Sequence, residues 1–136
     1  MPADHIEPIG RCAVIAGHAE FATGLISAVH QISGMGTSLI PVSSIGLAGV
    51  DIATVLADAL DRVGTSVVFT DLPAGSCTTA ARRLQRLRPD LVLVTGVNLA
   101  TALEFVFRSA SESPLEAARA AAEKGRATLL VQGNER

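Results

Sequence analysis

Short apolar runs alternate with helix-patterned segments from one end of this chain to the other, and that alternation restricts the fold more than any other feature. Strands separated by helical crossovers pair in parallel, and the crossovers cover the sheet. The first run spans about Arg11 to Ala16. A helix follows from Phe21 to Ser33, in which Phe21, Leu25, Val29 and Ile32 form one stripe, and Gly34 closes it. Ser38 to Val42 reads as a short strand, and Pro41 assigns it to a sheet edge. Asp51 is the expected N-cap of a helix reaching Val63, with Gly64 at its end. Ser66 to Thr70 is apolar enough for a central parallel strand.

A helix from the Gly75-Ser76 region to Leu87 stops before Pro89, and Asp90 to Thr95 is the next strand. Leu99 to Phe107 is helical. Ser113-Pro114-Leu115-Glu116 carries the signature of a helix start, and that helix is expected to end at Gly125. Ala127 to Gln132 reads as a final strand. The expected architecture is therefore α/β: a doubly wound, mainly parallel sheet with helices on both faces. Residues 1–10, with two prolines and several charges, read as a flexible leader, which leaves 11–136 as one domain.

Hydrophobic residues make up 49% of the chain and charged residues 18%, so a packed core is expected, not disorder. Aromatic content of 3% offers few stacking platforms, and a net charge of −2 does not suit a nucleic-acid binder. The basic cluster Arg82, Arg83, Arg86 and Arg88 reads either as a solvated helix face or as a docking patch for an acidic partner. Cys12, expected in the first strand, and Cys77, expected near the site, make neither a disulfide framework nor a metal set. No signal peptide and no apolar run of the ~20 residues a span needs is evident, so a cytoplasmic protein without membrane insertion is expected.

The polar residues that matter follow strands. His18 comes after the first strand, where an open α/β sheet binds ligands. Asp71 follows the Val-rich strand, and Gly75, Ser76, Thr78 and Thr79 open the next helix. Neighbouring strands would set both loops in one crevice. Each residue has an ordinary structural role when taken singly, as a strand-end histidine, a cap, or a Gly-Ser helix start. Together they suit phosphoryl transfer. An imidazole can attack through one nitrogen while a carboxylate holds the other, and helix N–H groups can receive phosphoryl oxygens. His5 and His30 have no such surroundings; His30 is expected in solvent.

Other chemistries fit poorly. A receiver-like module phosphorylated on Asp71 needs further carboxylates near the first strand, which ends Ala16-Gly17-His18. No G-x-x-x-x-G-K-[ST] loop occurs, and Gly34-Met35-Gly36 lacks the rest of a dinucleotide fingerprint. An interaction domain without transfer activity stays open.

Three segments carry a family resemblance: Ala16-Gly17-His18-Ala19-Glu20-Phe21-Ala22-Thr23-Gly24-Leu25, Thr70-Asp71-Leu72-Pro73-Ala74-Gly75-Ser76, and Val94-Thr95-Gly96-Val97-Asn98-Leu99. The chain resembles the IIA domains of the mannose-family (mannose/fructose/sorbose) sugar phosphotransferase system over about Arg11 to Gln132. The resemblance implies that His18 accepts phosphate from the phosphocarrier HPr and passes it to a IIB component, here a separate protein, for sugar uptake. It implies that Asp71 pairs with His18, and that Ala74, Gly75, Ser76 and Thr78 lie beside the phosphate. No cofactor or metal is implied. It further implies a homodimer in which Ala127 to Gln132 is an antiparallel strand exchanged between subunits. A regulatory protein that signals its phosphorylation state without transport is the alternative. The chain departs from the family pattern at Ala19 and Ala74, where glycine is usual, and at Cys77, where proline is common.

Overall fold

The computed structural model describes residues 13–135. The leader 1–10, His5 and Cys12 lie outside the described residues. The chain runs β1 (Ala13–Gly17), α1 (Phe21–Ser33), β2 (Leu39–Ser43), α2 (Gly49–Val63), β3 (Val67–Thr70), α3 (Ser76–Leu87), β4 (Val92–Val94), α4 (Leu99–Arg108) and α5 (Pro114–Ala127). A 3-10 turn, Gly36–Ser38, leads into β2.

All four strands are parallel, in the order β2-β1-β3-β4. The chain leaves β1 toward β2 on one side and returns to β3 on the other. The direction of winding therefore reverses between β1 and β3, the place where such sheets open a crevice at their carboxyl ends. Pro41 lies on an edge strand, as expected.

Strand side chains alternate between two cores. Ala13 and Ile15 of β1 and Phe69 of β3 pack under α1, α4 and α5, with Phe69 and Phe105 edge to face at 5.0 Å between ring centres. Val14, Ala16 and Val68 face α2 and α3, where Ile52, Leu56, Leu60 and Leu84 cover them. Burial on both faces is why β1 and β3 read as unbroken apolar runs. Helix ends match their signals in several places. Gly34 and Gly64 cap α1 and α2 in the left-handed region. Ser113 and Glu116 close a reciprocal capping box at the start of α5.

Three expectations need correction. Asp51 is not the N-cap of α2; the helix starts at Gly49 after Ala48, and Asp51 sits in its first turn, favourable at the positive end of the helix dipole. Ile32 is 59% exposed, because the inward phase of α1 runs through Ala22, Leu25, Ile26 and Val29 toward Ser33. Gly125 does not end α5. Its missing side chain admits α4: a Cβ there would lie 1.7 Å from Thr101 Oγ1, and Asn98 Nδ2 donates to the Gly125 carbonyl at 3.0 Å.

The expected final strand does not form within one chain. Thr128 to Glu135 has no regular secondary structure, and Leu129, Leu130 and Val131 are exposed. Its first residues curl back instead, Thr128 N–H to the Gly125 carbonyl and Leu129 N–H to that of Arg126. An extended segment forms a strand only by sharing its N–H and C=O groups with a neighbouring edge. Among the described residues of this one chain, the segment pairs with none.

Candidate functional site

Adjacency of β1 and β3 settles the geometry of the site. Ala16 pairs with Thr70, so the chain leaves both strands at the same height, and His18 and Asp71 emerge side by side. Asp71 Oδ2 accepts from the backbone N–H of His18 at 2.9 Å and lies 2.7 Å from its ring Nδ1. One carboxylate oxygen thus fixes the backbone and the ring of the same residue. Gly17 makes the approach possible: a Cβ there would stand 3.2 Å from Asp71 Oδ2 and 2.7 Å from Phe21.

The two partners differ in exposure. The Asp71 side chain is 10% exposed and the His18 side chain 52%. Burial opposes ionisation of Asp71, but the hydrogen bonds from the His18 ring and backbone outweigh it and hold the carboxyl below the usual aspartate range. An ionised carboxylate only accepts, so the ring proton sits on Nδ1. That leaves the lone pair on Nε2, the nitrogen turned away from the aspartate.

The N-terminus of α3 lies beside this ring. The His18 carbonyl accepts from Phe21 N–H at 2.9 Å in the turn that leads into α1. Gly75, with φ +129°, precedes α3, and its Cβ position lies 3.6 Å from His18 Cε1, the carbon bonded to both ring nitrogens. The first intrahelical bond of α3 runs from Thr79 N–H to the Gly75 carbonyl at 2.9 Å. The N–H groups of Ser76, Cys77 and Thr78 therefore have no acceptor within the helix, and the positive end of its dipole opens beside His18.

Not every expected residue faces the cleft. Ala74 and Gly75 are exposed and Ser76 is half-buried beside it. Thr78 is buried: its hydroxyl lies 2.7 Å from that of Thr70 and donates to the Leu72 carbonyl. It braces the loop from behind rather than reaching into the cleft. Cys77 is also buried, packed against the α2 side of the sheet. Burial, reinforced by the Asp71 charge, pushes its thiol above the ordinary range, against hydrogen bonds from Ser44 and Ser76. The four-arginine cluster divides. Arg88 binds Asp61 with both guanidinium nitrogens, at 2.8 and 3.0 Å, and ties α3 to α2, whereas Arg82, Arg83 and Arg86 are exposed. His30 is exposed, and its Nδ1 accepts from Gly36 N–H at 3.2 Å.

Sequence reading missed a second support. Ser43 Oγ donates to the Ala19 carbonyl at 2.9 Å, and Ser44 N–H donates to the Gly17 carbonyl at 3.1 Å. The signal was present only in the strand register, which sets Gly17 opposite Ser43. Ala19 itself has φ +47°, a conformation that costs a non-glycine residue about 1–2 kcal/mol. Among the described residues no group of three or more potential metal ligands occurs, and no helix is long and apolar enough to cross a membrane.

The fold is a doubly wound parallel sheet, and its histidine–carboxylate pair lies where the winding reverses, the place where such sheets bind ligands. The family model for the phosphotransferase system (PTS) fructose IIA component, EIIA-man, matches residues 12–123, and the chain belongs to that family. The fold agrees with solved structures. A mannose/sorbose-specific IIA subunit from Enterococcus faecalis superposes with a TM-score of 0.71 at 19% identity, over 93% of this chain and 98% of that one. A PTS IIA protein associated with the fucose utilization operon of Streptococcus pneumoniae gives 0.78 at 21% identity, over 90% and 93%. A PTS permease component from Klebsiella pneumoniae, described as phosphoenolpyruvate-dependent, gives 0.74 at 22%, over 93% of each. No curated protein sequence matches the chain. Family membership makes it a PTS IIA component and gives it a phosphotransfer role in broad terms.

Proposed function

We propose that this chain carries a phosphoryl group on Nε2 of His18, taking it from an HPr-type phosphocarrier and passing it to a IIB component for sugar uptake. One observation carries the reading: Asp71 Oδ2 holds Nδ1 at 2.7 Å and leaves the opposite nitrogen in the open cleft. The Nε2 lone pair attacks the donor's phosphorus. A new N–P bond forms as the donor's bond to phosphorus breaks, and the donor leaves with that electron pair. The His18 ring gains positive character, which the ionised Asp71 stabilises across the Nδ1 hydrogen bond.

The transferred oxygens meet the N–H groups that open α3, with Gly75 giving close access and Ala74 and Ser76 lining the approach. Thr78 serves by holding the loop. Onward transfer reverses the same steps with the IIB nucleophile. A carrier fed by an HPr-type protein works in the cytoplasm.

The reading includes a homodimer. Leu129, Leu130 and Val131 leave large apolar surfaces in water, and β4 is a sheet edge with one open side. Antiparallel addition of the tail to β4 of a second copy covers both.

Incubation with a phosphorylated HPr-type donor tests the carrier role. Acid-labile label is expected on His18 and is lost in His18→Ala. Label that persists in His18→Ala contradicts the assignment. Discharge of the label to a IIB component separates a transport role from a regulatory one.

A further inference from the structure

We infer that Ser43 is a positioning residue for His18, acting through the turn at Ala19; the inference rests on the carrier reading above. Gly17 and Ser43 stand opposite each other in the β1–β2 register, so the chain leaves both strands side by side. The Ser43 hydroxyl donates to the Ala19 carbonyl at 2.9 Å and accepts from Ile45 N–H at 3.1 Å. Beside it, Ser44 N–H donates to the Gly17 carbonyl at 3.1 Å. Both residues that flank His18 are thus tied by their carbonyls to the end of β2 and the residue that follows it. His18 itself is tied to Asp71, after β3.

Among the described residues Ala19 is the one non-glycine residue with positive φ. Alanine disfavours that conformation, so surrounding contacts must hold it there. The Ser43 hydroxyl grips the carbonyl of the strained residue itself. Without that grip, Ala19 relaxes to a negative φ. The His18–Ala19 peptide then turns, and the imidazole loses its alignment with Asp71 Oδ2. Ser43 touches neither the ring nor the phosphate. Its effect reaches the reaction through the orientation and tautomer of His18.

The experiment uses the full chain, labelled with ¹⁵N, and phosphoramidate as a small-molecule donor that needs no protein docking. The phosphoryl group moves to Nε2 as the donor's P–N bond breaks, and ammonia leaves with the electron pair. Ser43→Ala is expected to slow His18 labelling about three- to tenfold, the scale of one lost hydrogen bond. In long-range ¹H–¹⁵N spectra of the unphosphorylated chain, His18 is expected to change from a single Nδ1–H tautomer to a mixture. Ser43→Thr keeps the hydroxyl and retains both properties. Adding Ala19→Gly to Ser43→Ala restores both, because glycine adopts the left-handed turn without an outside restraint.

A Ser43→Ala chain with the original rate and tautomer overturns the inference, as does a loss that Ala19→Gly leaves unrepaired. Failure of the carrier reading looks different. His18 of the unaltered chain then takes no phosphate at all, while its tautomer still responds to Ser43→Ala.

Discussion

The crevice between β1 and β3 and the outer edge of β4 lie in one sheet, yet they are built on opposite terms. At the crevice the contacts that hold His18 come from within the chain: Asp71 after β3, Ser43 at the end of β2, and Ser44 just beyond it. At the β4 edge, the segment that follows α5 carries Leu129, Leu130 and Val131 into solvent, Val131 at 98% exposure. In the proposed reading, chemistry belongs to the first region and assembly to the second. Perturbing one should leave the other largely intact.

The largest effect is expected at Asp71. Asp71→Asn leaves a group that both donates and accepts, so His18 loses its fixed tautomer, and transfer to His18 should slow about 100-fold. Comparison of single-turnover rates checks this; an unchanged rate makes Asp71 only a structural anchor for the loop. The same variant has a pH signature. Because the folded chain holds the Asp71 carboxyl below its usual range, the stability it contributes is fully present above the unfolded value of about 4. That contribution fades as pH falls through the lower folded value. Denaturation curves of Asp71→Asn should therefore lack this part of the acid-induced loss, with the two proteins converging at the lowest pH.

Next in size is the tail. Removing residues 128–136 should weaken dimerisation about 10- to 100-fold, the equivalent of one large aliphatic side chain, about 1.5–3 kcal/mol, being fully covered. Sedimentation across a concentration series measures it, and phosphoramidate labelling of His18 in the truncated chain should stay near the original rate. A truncated chain that dimerises as before removes the tail from the interface. A truncated chain that cannot be labelled joins the two regions this account keeps apart.

Much of the fold was legible because the alternation of strands and helices is local and repeated. The reversal between β1 and β3 was not, since strand order is a tertiary property that neither strand's residues encode singly. His18 and Asp71 each stood out at a strand end. Their pairing had to wait for the register that sets Ala16 beside Thr70. Thr78 differs in another way: a hydroxyl near a helix start suggests a phosphate donor, but the phase that buries Cys77, Ala80, Ala81 and Leu84 carries its side chain inward as well. Ser43 was invisible because its contact with Ala19 spans 24 residues and depends on two parallel strands ending together. The tail reads as a strand by composition, and composition cannot supply the neighbour a strand requires.

The smallest expected effect sharpens the picture of the crevice. Ala19→Gly removes the left-handed penalty but adds flexibility to the unfolded chain, for a net stabilisation of about 0.5–1 kcal/mol. Urea denaturation resolves a change of that size. Destabilisation there would mean that the Ala19 methyl group contributes a contact larger than its strain.

The position of the phosphate on the ring tests the central claim most directly. Labelling with phosphoramidate, followed by ¹⁵N and ³¹P spectroscopy of the intact protein, should show a single phosphorus–nitrogen bond at Nε2 of His18, with Nδ1 still protonated and hydrogen-bonded to Asp71. Phosphate on Nδ1, or on any other residue, would contradict the account.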